Sequence, residues 1–151
     1  MEGLFQQPVK RPESVLVVVY TRTGSVLLLR RADDPDFWQS VTGGMKWDEA
    51  EPMEAAEREL REETGLTAAG RLRDLGLVFR YPLLPQWRHR YAPEVKENTE
   101  YVFSLALPAE TDITINPAEH AGYGWFPFDA AAGKVASWTN REVILMLKTQ
   151  G

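Results

Sequence analysis

The run SVLVVVY, residues 14–20, is β-branched or apolar after its leading serine, and no polar position marks a solvent face. Such a run predicts a buried strand. TRTG then supplies a turn, and SVLLLRR (25–31) predicts a second strand beside the first. ADDPD breaks the pattern, and FWQSVTGG (37–44) predicts a short strand ending at paired glycines, where the backbone turns tightly. The period then changes. Met53, Ala56 and Leu60 recur at helical spacing, Pro52 suits a first helical turn, and Gly65 suits a stop after Thr64.

Period two returns in LRDLGLVFRY (72–81), weakened by Gly76. Residues 82–98 read as a long proline-containing loop carrying WRHRYAP. TEYVFSLALP (99–108) predicts another strand, TDITI (111–115) one more, and GYGWFPF (122–128) a further strand. TNREVILMLKT (139–149) predicts a C-terminal helix capped by Thr139 or Asn140. Strands dominate, and a helix sits between them. The expected class is α/β (α+β): a mixed sheet with helices packed on it.

A length of 151 residues suits one domain over 1–151 with a single core. The net charge of −5 argues against a nucleic-acid polymer or a membrane surface as partner. It leaves room for an anionic small molecule, because a bound metal reverses the local sign. With no cysteine, disulfides, thiolate zinc sites and cysteine nucleophiles are excluded, and a cytoplasmic location is expected. The N-terminal residues lack the apolar segment of a signal peptide, and no stretch approaches a membrane span.

The helix 52–64 carries the chemistry. ERELREETGL (57–66) places Glu59 and Glu63 four residues apart, about 40° around the helix, at the border of its apolar stripe. Like charges at that spacing repel. A hard divalent cation such as Mg²⁺ relieves the repulsion and prefers carboxylate oxygens. Glu62 points further toward solvent, and a solvated helix laced by pairs such as Arg58 with Glu62 is the plainer alternative. Other chemistries lack their parts. There is no phosphate-binding G-x-x-x-x-G-K-[ST] loop and no G-x-S-x-G elbow, and His89 and His120 are the only histidines.

Arg58 to Leu66, RELREETGL, resembles the core of the Nudix box, R-E-U-x-E-E-x-G-U with U apolar. The full box begins G-x5-E-x7-R. Counting back from Arg58 gives Gly44 and then Ala50 where an acid is expected, so the loop KWDEAE contains one extra residue and either Glu49 or Glu51 takes the acidic role. The segments DDPDFWQSVTG, RHRYAP, NTE, EHAGYGW and SWTNRE resemble one Nudix subfamily, the diphosphatases of dihydroneopterin triphosphate and dATP.

The resemblance implies a Nudix fold, a mixed sheet sandwiched between helices. It implies Mg²⁺, with Mn²⁺ as a substitute, on Glu59, Glu63 and Glu119. It implies catalytic roles for Glu59, Glu62 and Glu63, with Arg58 orienting acids, and a general base among Glu62, Glu63 and Glu119. Lys10, Arg31, Thr42 and Ser137 would contact a small-molecule triphosphate, as would the segment near Tyr81 to Leu84. Arg88, His89 and Arg90 form either a basic lip or an exposed loop. The implied reaction converts dihydroneopterin triphosphate to its monophosphate and pyrophosphate in folate synthesis. A nucleoside triphosphate house-cleaning enzyme and a non-catalytic nucleotide-binding module are the alternatives. The expected assembly is a monomer or homodimer.

Overall fold

The computed structural model describes residues 9–150. Its centre is β1 (Glu13–Thr21), flanked by β2 (Ser25–Arg31) and, in parallel, by β6 (Glu97–Leu107). The parallel register runs from Glu13↔Thr99 to Thr21↔Leu107. β5 (Arg73–Pro82) adds antiparallel to β6, β3 (Trp38–Gln39) to β2, β4 (Val41–Gly44) to the first half of β1, and β7 (His120–Pro127) to β2. Because β1 meets β2 at one end and β4 at the other, the sheet divides beside Gly43 and Gly44.

Side chains of β1 alternate between two apolar layers. Val15, Val17 and Val19 pack with Leu60 and Ala56 of α1 (Pro52–Thr64). Leu16 and Val18 pack with Val143, Ile144 and Leu147 of α3 (Trp138–Gln150) and with Ala131 of α2 (Phe128–Lys134). The unbroken apolar run 14–20 therefore fills both faces of a covered strand, as its composition requires. α1 stops at Gly65, whose φ of 77° suits a residue without Cβ. Among the described residues no helix is long and apolar enough to cross a membrane.

Several expectations shift. The strand expected over 37–44 breaks at Ser40, whose N–H is taken by Asn140 Oδ1 at 2.9 Å. TDITI is not a strand, although Ile113 reaches the core. The Thr114 amide bonds the last carbonyl of α1, on Thr64, instead of a ladder partner. The loop 82–98 contains a 3₁₀ turn, Pro85–Arg90. The helix α2 has no counterpart in the sequence pattern. Thr139 and Asn140 lie inside α3, and the residue before the helix, Ser137, accepts the Asn140 N–H at 3.4 Å as its cap.

Candidate active site

The loop from Met45 to Glu51 is stitched by two arginines. Arg11 Nη1 donates to the carbonyls of Lys46 and Glu49, at 2.9 and 2.8 Å. Arg58 donates Nε to Glu49 Oε2 at 2.8 Å and Nη2 to Glu49 Oε1 at 3.0 Å and to the Gly44 carbonyl at 2.9 Å. Its Nη1 reaches Glu59 at 2.6 Å and Glu62 at 3.2 Å. These bonds hold the Arg58 guanidinium pKa above its ordinary value, with Glu49 the largest cause. Glu49 thus takes the acidic position left open between Glu49 and Glu51, while Glu51 is exposed and precedes the first turn of α1. Glu49 itself sits below the usual carboxylate range because of Arg58.

Glu59 and Glu63 are brought together at the seam between α1 and β4. A Cβ on Gly43 would overlap the Glu59 carboxylate, so only glycine leaves that space. Glu63 is 1% exposed, and its Oε1 has no hydrogen-bond partner. Burial, then hydrogen bonding and repulsion from Glu59, push the Glu63 carboxyl strongly upward. Close by, His120 lies with Nε2 3.3 Å from Gln39 Nε2 and 3.9 Å from Glu63 Oε1. Burial and Arg31 lower the His120 pKa, so the imidazole is neutral at pH 7 and this contact is no ion pair.

Glu119 is exposed on the loop before β7, and its carbonyl accepts the Ala32 N–H at 2.9 Å, tying that loop to the end of β2. Its charge is felt at both Glu63 and Arg31. Among the described residues, no three acidic or histidine side chains already enclose an ion-sized space. Lys10 lies over Gly44: its Cε would stand 3.0 Å from a Cβ there, and its N–H bonds the Arg90 carbonyl at 2.8 Å. Desolvation lowers the Lys10 pKa most, followed by the charge of Arg90, while Glu59 raises it. The basic turn 88–90 therefore borders Lys10.

The remaining expected contacts are engaged within the chain. Arg31 forks onto Asp33 at 2.8 and 2.7 Å and covers the Phe37 ring. The Thr42 hydroxyl donates to the Val15 carbonyl at 3.0 Å, and Ser137 caps α3. Sequence reasoning passed over Gln39 and the buried role of His120. The adjacency of His120 to Glu119 was the signal available.

The NUDIX domain model matches residues 10–147. The chain belongs to the Nudix family of hydrolases. Within that family it is 45% identical over 139 residues to the dihydroneopterin triphosphate diphosphatase of Escherichia coli (strain K12), covering 89% of this chain and 91% of that one. The protein of the same description from Haemophilus influenzae is 37% identical, covering 89% of this chain and 86% of that one. The solved E. coli dihydroneopterin triphosphate pyrophosphohydrolase superposes with a TM-score of 0.85 at 42% identity, covering 96% of this chain and 100% of that one. In this Nudix hydrolase Glu49, nine residues before Arg58, lies in the loop that Arg11 and Arg58 stitch together.

Proposed function

We propose that the chain is a Mg²⁺-dependent pyrophosphohydrolase that cleaves dihydroneopterin triphosphate to the monophosphate and pyrophosphate, and that also accepts dATP and related nucleotides. The observation that carries the reading is the buried pair Glu59–Glu63, with Glu63 Oε1 left without a partner. A carboxylate that cannot ionise cheaply where it stands, beside a second carboxylate, is fitted to a hard divalent ion. The named activity of relatives at 45% and 37% identity supports the substrate.

Mg²⁺, when bound, supplies positive charge to the polyphosphate and makes water more acidic. Glu59 and Glu63 hold it, with Glu119 as the third carboxylate from the neighbouring loop. Arg58 fixes Glu59 at 2.6 Å and ties it to Glu49, so the acid is oriented before substrate arrives. The Thr42 backbone favours the charged form of Glu63 from the strand side. Lys10 presents fixed positive charge across Gly44, where negative charge develops on the leaving group. Arg31 joins by exchanging Asp33 for a phosphate oxygen, an exchange between two anions at a partly exposed position. Ser137 contacts substrate at the start of α3. Proton acceptance falls to a carboxylate among Glu62, Glu63 and Glu119.

Glu59, Glu62 and Glu63 are all present, which favours an enzyme over a nucleotide-binding module. The reading treats 1–151 as one cytoplasmic domain, monomeric or homodimeric. Pyrophosphate release should be followed from dihydroneopterin triphosphate, dATP and UTP, with Mg²⁺ and with chelator. Preferred turnover of the pterin, abolished by chelation, is expected. Flat activity across the panel would favour the house-cleaning reading, and no Mg²⁺-dependent cleavage at all would refute both.

A further inference from the structure

A row of paired residues crosses four strands, starting from Gly44. Gly44 of β4 pairs with Ser14 of β1, Ser14 with Glu100 of β6, and Glu100 with Phe79 of β5. Cross-strand partners share a face. This face is the one under α3, because Leu16 and Val102, two residues on from Ser14 and Glu100, pack there. Lys10 lies over Gly44 on it, whereas Glu59 lies over Gly43 on the opposite face. The row changes character along its length. Its near end is cationic at Lys10. Its middle is polar: Asn98 Nδ2 donates to Ser14 Oγ at 2.8 Å, and the Tyr81 hydroxyl donates to Glu100 Oε2 at 3.2 Å. Its far end is aromatic: the Phe79 ring meets Trp138, the first residue of α3, edge to face at 5.5 Å.

Trp138 is 51% exposed. A lone exposed apolar side chain needs no explanation, but this one walls a groove. Trp138, Glu142 and Met146 lie four residues apart on α3 and share a helix face. With Leu77 and Phe79 of β5 they border an open groove of about 420 Å³, within the size range of small-molecule sites. Three strand spacings separate β4 from β5, roughly 14 Å. That is the reach of a triphosphate joined through a hydroxylated linker to a flat ring. The order of groups on such a molecule is also the order along the row: anion beside Lys10, hydroxyls beside Ser14 and Glu100, ring beside Phe79 and Trp138.

We propose that this groove is the ring subsite of the triphosphate substrate, and that the Trp138 indole stacks on the heterocycle. This rests on the proposed function for the phosphate end. Stacking reads a π face and no hydrogen-bond pattern, so it is tolerant of which ring it meets. The subsite therefore takes pterin and adenine alike, as acceptance of both dihydroneopterin triphosphate and dATP requires. Phe79 holds the indole by its edge contact and leaves the indole face free for the ring.

The test compares wild type, Trp138→Phe and Trp138→Ala with Mg²⁺. In the alanine variant KM should rise about tenfold for both dihydroneopterin triphosphate and dATP, with kcat changed less than about threefold. Phenylalanine should bring KM back to within about threefold of wild type. Inorganic triphosphate, which carries no ring, should inhibit all three proteins equally. Unchanged KM, or inhibition by inorganic triphosphate weakened as much as KM rises, overturns the proposal. A wild-type dimer that the alanine variant dissolves without change in KM gives the groove to a second copy and overturns it as well. In a second arm, metal-free wild type and Trp138→Phe are titrated with dATP while tryptophan emission is followed. The drop in emission should be smaller in the variant, and equal drops, or none in wild type, overturn the proposal. Wild type that cleaves neither triphosphate overturns the proposed function alone, since the emission titration still judges Trp138.

Discussion

Glu49 holds Arg58 by both carboxylate oxygens, Oε2 on Nε at 2.8 Å and Oε1 on Nη2 at 3.0 Å, so a loop residue and a helix residue act as one part. The pair is nearly covered, with side chains 10% and 12% exposed. Replacing Arg58 with alanine strands Glu49 and Glu59 without their cation and should cost about 3 kcal/mol in urea unfolding. Glu51→Gln, at an exposed position, should cost less than about 0.5 kcal/mol. Equal costs would show that the loop is not organised around Glu49.

Gly43→Ala tests the close approach of α1 to β4. The new methyl group occupies the space of the Glu59 carboxylate, the flexible end of a side chain, so the fold yields by moving that acid. Stability should fall by about 1 kcal/mol. Pyrophosphate release should fall about 100-fold, because a small misplacement of an oriented group is costly to rate. Unchanged turnover would place the reaction elsewhere.

Glu63→Gln should leave the fold intact and remove most turnover. Its effect on stability has a definite sign. Burial raises the folded pKa of Glu63 above the ordinary 4.5. The contribution of the neutral carboxyl is therefore fully present below pH 4.5 and is withdrawn as pH rises through the folded value. Metal-free wild type should lose stability relative to the glutamine variant as pH is raised from 5 to 9. Added Mg²⁺ should raise the melting temperature of wild type and not of the variant. Parallel pH curves, or equal response to Mg²⁺, would contradict the assignment.

Asn140 ties α3 to the break between β3 and β4, accepting from Ser40 N–H and donating to Ser40 Oγ, both at 2.9 Å and buried. Asn140→Ala should cost about 2 kcal/mol, since a buried amide N–H loses its acceptor. Thermal melting should show it, with little change for Thr149→Ala near the exposed end of α3.

The strands of β1, β2 and β6 were legible because runs such as VLVVV leave no face for water. The pair Glu59–Glu63 was legible because helical spacing is local. What escaped depends on partners distant in sequence. Ser40 breaks its strand for a residue a hundred positions on. TDITI alternates like a strand, yet Ile113 N–H goes to the Tyr123 hydroxyl and Thr114 N–H to the end of α1. The segment FDAAAGK forms α2 with alanines too small to write a periodic stripe. Counting residues left Glu49 and Glu51 equivalent, and only the reach of Arg58 separates them. Arg31, Thr42 and Ser137 each carry a structural bond that residue type alone does not announce.

The stitched loop has a consequence for how such enzymes vary. With Arg11 gripping its carbonyls and Arg58 its carboxylate, the segment behaves as a clamped hinge pin whose middle can bulge while its ends stay put. An added residue there changes the tally of a motif without disturbing the helix it introduces. What the clasp fixes is the approach of Glu49 to Arg58, not the number of residues between them.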